Sequence, residues 1–250
     1  MNSSTSNATS ERGARISVFA AAFLSGAAVM SLEIAGFRLA EPEFGSDIVV
    51  WGSLISVFLG GLALGAWAGG RLADVRPALW KLGVILAAAG ILALLLPLYS
   101  GAVLRWTFPE RWAPVPVEWN TPGAGSALQV YMPPDLRWPA LAAGALLFGL
   151  PAVILGMVTP YAVKLRVSAM PNLGAGVGTV SGVSTLGGIT GTLATAFYLV
   201  SWLGTHLLFV LNGIVLLVFG LALVILGTLA ARTTARLVHE YELSERRPVH

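Results

Sequence analysis

Twelve of the 250 residues are acidic, and Glu33 is the one carboxylate that stands well inside a long apolar run. An ionised side chain at the centre of a bilayer costs at least about 2.5 kcal/mol on insertion scales, so such a group faces a partner or a water-filled cavity. Arg38 follows about one and a half helical turns later, and Glu41 lies three residues beyond it. With Glu33 and Arg38 facing the bundle interior, Glu33 is a proton or cation site; held neutral or paired, it serves helix packing instead. Glu41, Glu43 and Asp47 put three carboxylates within seven residues. That density can concentrate cations at an outer mouth, although a solvated turn has the same composition. Ser181, Ser184, Thr185, Thr192 and Thr195 share roughly one helical face. Hydroxyls so spaced line a polar path or hydrogen-bond between helices.

A second constellation is Gly69-Gly70-Arg71-Leu72-Ala73-Asp74-Val75-Arg76-Pro77. A Gly-Gly turn here is expected to deliver Arg71, Asp74 and Arg76 to the mouth between two helices, where the aspartate caps a helix end or pairs with a neighbouring bundle. Other chemistries find no support. There are no cysteines, and His206, His239 and His250 are scattered rather than clustered. No nucleophile sits near a base. Gly174-Ala175-Gly176-Val177-Gly178 follows no strand and leads into an apolar helix, so packing is preferred to nucleotide binding. No metal, cofactor or enzymatic activity is expected.

The elements that must carry these residues are membrane spans. The chain is 56% hydrophobic and only 11% charged, with a mean hydropathy of +0.79, too apolar for a surface that must stay dispersed in water. Runs of about 20 residues cross the hydrocarbon core. Six occur, approximately Ile16–Leu39, Ile48–Gly70, Leu82–Tyr99, Pro139–Thr159, Gly174–Val200 and His206–Ala230. Residues 1–15 read as a disordered tail, 16–230 as the membrane domain with one long outer loop over 100–138, and 231–250 as a short charged tail. With the N-terminus inside, 11 of the 15 Lys and Arg residues fall on the inner side and four on the outer. The positive-inside rule therefore puts both ends in the cytoplasm of an inner-membrane protein. The basic balance is a topology signal, which removes nucleic acid as a partner.

Spans two and five share a texture. Span two carries Gly61, Gly65 and Gly69; span five carries Gly174, Gly178 and Gly182, then Gly187 and Gly191. Small residues four apart let helix backbones approach closely. Each ridge occupies the middle of a three-helix set, and the sets enter the membrane with opposite polarity, the pattern of a 3+3 inverted repeat. Pro151 should kink span four and free a carbonyl that a neighbour must satisfy. Trp106, Trp112, Trp119 and Trp138 in the outer loop read as interfacial anchors.

Three stretches together carry a family resemblance. They are Leu32-Glu33-Ile34-Ala35-Gly36-Phe37-Arg38 running into Pro42-Glu43-Phe44-Gly45-Ser46, the span ending in Gly69-Gly70-Arg71-Leu72-Ala73-Asp74, and Leu155-Gly156-Met157-Val158-Thr159-Pro160 before Ser184-Thr185-Leu186-Gly187-Gly188. From roughly Ala20 to Gly204 the chain resembles the membrane domain of fused major facilitator/spermidine synthase-like proteins. The second stretch resembles the facilitator loop motif between helices two and three, with Pro77 where that family usually has glycine. The resemblance implies an all-α integral membrane protein, a half-facilitator-like bundle of six transmembrane helices. The family's synthase domain is not among these residues, so its activity is not carried over.

Two functions follow as expectations. One is transport of a small cationic metabolite such as a polyamine, with Glu33, Arg38, Ser184 and Thr185 along the path. Half a facilitator would then have to dimerise, with the glycine ridges as the contact. The other is a non-catalytic membrane anchor that recruits a separate cytoplasmic synthase-like protein through Arg71, Arg76, Lys164, Arg166 and the C-terminal tail. The expected partners are the lipid bilayer and either a second copy or such a protein.

Overall fold

A long apolar run with no water beside it must satisfy its peptide groups internally, and the chain does so as helix almost throughout. The computed structural model describes residues 3–75, 77–107, 115–117, 130–132, 136–167 and 173–245, with side chains over 13–75, 77–107, 136–166 and 174–232. Helix α1 runs Ser3–Phe44, α2 Ile48–Asp74 and α3 Leu79–Thr107. In the connection that follows, β1 (Val115–Val117) and β2 (Val130–Met132) pair antiparallel, Val117 opposite Val130. Then come α4 (Arg137–Gly144), a π-helical turn over Ala145–Gly149, and α5 (Leu150–Val167). Finally α6 (Leu173–Ala194) passes through a second π turn, Thr195–Leu199, into α7 (Val200–Glu245). Five helical stretches are long and apolar enough to cross a membrane: Gly13–Phe44, Ile48–Asp74, Leu79–Thr107, Arg137–Arg166 and Gly174–Arg232. The outside is as apolar as the core, with Leu59, Leu98, Trp202 and Val218 all well exposed. That is the build of a multi-pass membrane protein.

The fifth stretch is not one straight helix, because Gly204 has φ 70° and ψ 167° inside α7. A positive φ there is open to glycine at little cost and to few other residues. Gly45 (φ 77°) closes α1, its N–H donating to the Glu41 carbonyl at 2.9 Å, and Asp47 caps α2 two residues later. The first helix starts at Ser3, inside the stretch expected to be an unstructured tail. Once a helix has nucleated, each added residue contributes another hydrogen bond, so a polar segment can prolong an apolar one.

Three helix pairs build the bundle, and each closes at glycines whose Cα faces the partner backbone. Helix α1 lies against α6, with Gly26 at Ser184, Gly187 at Phe23 and Gly191 at Ala27. Helix α2 lies against α5, where Gly61, Gly65 and Gly69 meet Ala152, Val153 and Met157. Helix α3 lies against α7, with Gly83 at Gly220 and Gly90 at Leu217. Phe148 stacks on Phe58 at 5.6 Å between ring centres and tilts towards Phe209 at 6.0 Å. All three rings are fully buried where the pairs meet.

Two sequence expectations change here. The Gly69-Gly70 pair is helical rather than a turn, since α2 continues to Asp74. Gly69 is required because a β-carbon would run into the backbone of Met157. On α6, Gly178 and Gly182 meet nothing within contact distance, while Gly187 and Gly191 form the packed ridge. The span-five glycines expected to pack helices therefore do so only in their C-terminal half within this chain.

Candidate functional site

The outer wall of the bundle carries a groove between α1, α2, α5 and α6 with a volume of about 830 Å³. Hydroxyls from three helices line it: Ser25 on α1, Thr159 on α5, and Ser181, Ser184, Thr185 and Thr192 on α6. Thr159 and Ser184 lie 3.3 Å apart, hydroxyl to hydroxyl, and Thr185 returns its proton to the Ser181 carbonyl at 3.0 Å. The groove is open sideways, since Val177, Thr185 and Ile189 on its wall are exposed. Gly26, Gly156 and Gly188 are part of its lining, and at Gly26 and Gly156 the helix backbones approach too closely for a side chain.

The groove continues at both ends. At the Asp47 end it shares Met30 and Thr192 with a second cavity of about 550 Å³, which holds Glu33, Arg38, Glu41, Phe37 and Trp51. At the Asp74 end it shares Pro160, Val163 and Val177 with a third, of about 380 Å³, beside Asp74 and Lys164. Three cavities thus line up along one face from one end of the bundle to the other. Each end carries an ion pair: Arg38 Nη1 to Glu41 Oε2 at 3.1 Å, and Lys164 Nζ to Asp74 Oδ1 at 2.7 Å.

Glu33 is half-buried on the wall of the second cavity and makes no ion pair or hydrogen bond among the described residues. Arg38, five residues away, shares the cavity but spends its charge on Glu41. Glu33 and Arg38 therefore face the open groove rather than the closed interior of this chain. Of the three clustered carboxylates, only Glu41 reaches the cavity. Asp47 accepts the Val49 N–H at 3.0 Å as the cap of α2, and Glu43 is exposed. A capping carboxylate satisfies an otherwise unpaired helix N–H, which explains why Asp47 turns inward to the backbone. Ser184 and Thr185 line the groove, whereas Thr195 is buried and donates to Ser31 at 2.9 Å. Asn212 also donates to Ser31, at 2.8 Å, so this triad joins α1 to α7 instead of lining a path.

At the Asp74 end the loop motif divides. Gly69 packs, Gly70 borders the third cavity, and Asp74 pairs with Lys164. Arg71 turns outward and stacks over Trp67, 4.0 Å from the ring centre. Arg76 lies outside the described residues, as do Trp112 and Trp119. Sequence reasoning missed Tyr161, whose fully buried ring sends its hydroxyl to Ala78, accepting from N–H at 3.0 Å and donating to the carbonyl at 3.2 Å. A lone tyrosine in an apolar run gives no sign of such a latch. Nor does the sequence foretell the π turns; the first sits just before Pro151, where a missing N–H already interrupts the ladder.

Among the described residues no group of His, Cys, Asp or Glu is placed to hold a metal ion. The groove offers hydroxyl groups to a polar solute, and among the described residues no nucleophile is held against a base. No protein-family model, no curated protein and no solved structure matches the chain.

Proposed function

We propose that the chain is one half of a membrane transporter, a six-span bundle whose face groove carries a small cation when closed by a second copy. The single observation that carries this reading is Glu33, a carboxylate with no partner among the described residues on the wall of an end-to-end groove. A charge in that position is expensive unless water, a cation or a proton meets it. The resemblance to the synthase-fused facilitators points to a polyamine as the kind of cation.

Six spans follow from length. The 59 residues of Gly174–Arg232 would extend about 88 Å as one helix, against about 30 Å of hydrocarbon. Turning at Gly204 makes them spans five and six, which returns the C-terminus to the side of the N-terminus. The charge bias puts both in the cytoplasm, in the inner membrane. The packing also suits a 3+3 inverted repeat. Span one pairs with five, two with four and three with six. Exchanging each span for the one three places on turns the first pair into the second and leaves the third unchanged, as an internal two-fold axis requires.

Closure by a second copy is supported by the groove rims. Helices α2 and α6 carry few buried residues, and side chains at Gly60, Gly178 and Gly182 on them would meet no neighbour. A two-fold dimer would set the α2 rim of one copy on the α6 rim of the other. The test is uptake of labelled small cations into proteoliposomes, with Glu33→Gln as the key variant. Uptake by the parent and none by a folded Glu33→Gln protein is the expected result. Full activity of that variant removes Glu33 from the path. Absence of flux with any cation, together with co-purification of a soluble synthase-like protein, replaces transport by the anchoring role.

A further inference from the structure

Arg166, on the last turn of α5, is only 6% exposed. Its Nε has no hydrogen-bond partner, and no ion pair with it occurs among the described residues. The guanidinium carbon stands 5.3 Å from the ring centre of Phe19 on α1. Arg15 lies one helical turn before Phe19 on the same face, exposed, and close enough for its charge to act on Arg166. Asp74, the acid that ends α2, is already held by Lys164. Two helices therefore bring two like charges together, with no anion paired to Arg166 among the described residues. Removing a charge from water and leaving it unpaired is among the more unfavourable arrangements a fold can hold.

The position is informative. Arg15 immediately precedes the apolar run that begins at Ile16, and Arg166 follows the one that ends near Thr159, so both arginines stand where apolar sequence gives way to polar. The ring of Phe19 lies beside the Arg166 guanidinium, whose Nε is still without a partner, and a guanidinium fork is matched by a planar or tetrahedral oxyanion. Two N–H forks from two arginines match phosphate oxygens better than they match a single carboxylate. A chloride would meet the charge but not the fork.

We propose that Arg15 and Arg166 form a phosphate-oxyanion site at the membrane boundary between α1 and α5, filled by an anionic phospholipid headgroup or by free phosphate. The site is separate from the groove and does not rest on the transport reading. Basic pockets between spans at the inner surface are suited to such headgroups.

The test uses the full chain purified in a neutral detergent. Phosphatidylglycerol, phosphatidylcholine and inorganic phosphate are titrated in turn, with thermal melting and native mass spectrometry as readouts. Expected is stabilisation by phosphatidylglycerol but not phosphatidylcholine, with affinity falling about fivefold in Arg15→Gln. Arg166→Gln should lose the retained lipid, and Arg166→Lys should recover part of it. Arg15 is exposed, so its variant reports even if Arg166→Gln fails to fold. Stabilisation by inorganic phosphate as well assigns the site to the free anion; stabilisation by phosphatidylglycerol alone assigns it to the headgroup. Equal binding of both by the parent and Arg15→Gln overturns the proposal.

Discussion

Lys164 Nζ stands 2.7 Å from Asp74 Oδ1, joining the end of α5 to the end of α2 beside the last cavity of the groove. Both side chains are about half exposed or more, at 46% and 66%, so water screens the pair. Its contribution to stability should be about 0–1 kcal/mol. Asp74→Asn is therefore expected to melt within that margin of the parent while changing cation uptake. Exchanging the charges, Asp74→Lys with Lys164→Asp, should restore uptake. A large loss of melting temperature in Asp74→Asn would make the pair a structural strut.

The glycine contacts predict a contrast between two helices that read alike in sequence. A side chain at Gly65 would strike the Val153 carbonyl and Gly156 on α5, whereas one at Gly178 meets open space. Gly65→Leu should destabilise the bundle by about 1–3 kcal/mol, the usual range for overpacking. Gly178→Leu should leave the melting of the single chain unchanged and, with a second copy seated on α6, should weaken the dimer in cross-linking. Equal thermal shifts from both variants would contradict the packing described.

How far these features are legible in sequence depends on whether one chain position suffices to reveal them. Length and apolarity mark the spans, and Glu33 stands out because a carboxylate in an apolar run is physically anomalous. Ser184 and Thr185, which line the groove, read in sequence equally well as a polar path or as interhelical hydrogen bonds. The choice between Gly182 and Gly187 as the packed ridge is not foreshadowed, since both fit the same spacing and only the position of α1 decides. Asp47 is ambiguous for a similar reason: cap and mouth share a composition, and only the Val49 N–H shows it acting as a cap. Partners distant in the chain, such as Tyr161 and Ala78, leave no local trace.

Proline supplies a third prediction. The ring of Pro151 removes the N–H that would reach the Leu147 carbonyl four residues back, and Tyr99 donates its hydroxyl to that carbonyl at 3.4 Å. Tyr99→Phe should cost about 0.5–1.5 kcal/mol, the net worth of one hydrogen bond. In a Pro151→Ala background, where an N–H returns to the helix, the same change should cost measurably less. A double-mutant cycle on melting free energies reads this coupling, and strict additivity would mean that Tyr99 and Pro151 act apart.

The groove itself predicts a pattern of water access, and the absence of cysteine from the chain makes it measurable without background. Thiols react as thiolates, which form in water and not in hydrocarbon. Thr185→Cys on the groove wall and Val218→Cys on α7 are both exposed in the single chain, so exposure alone would label them equally. In liposomes, a groove holding water should let a membrane-impermeant thiol reagent modify Thr185→Cys at least about tenfold faster than Val218→Cys, because only the first has thiolate available. Substrate occupying the groove should slow the first rate and leave the second alone. Equal, slow rates would mean that lipid or another helix fills the groove and that Glu33 meets no water there.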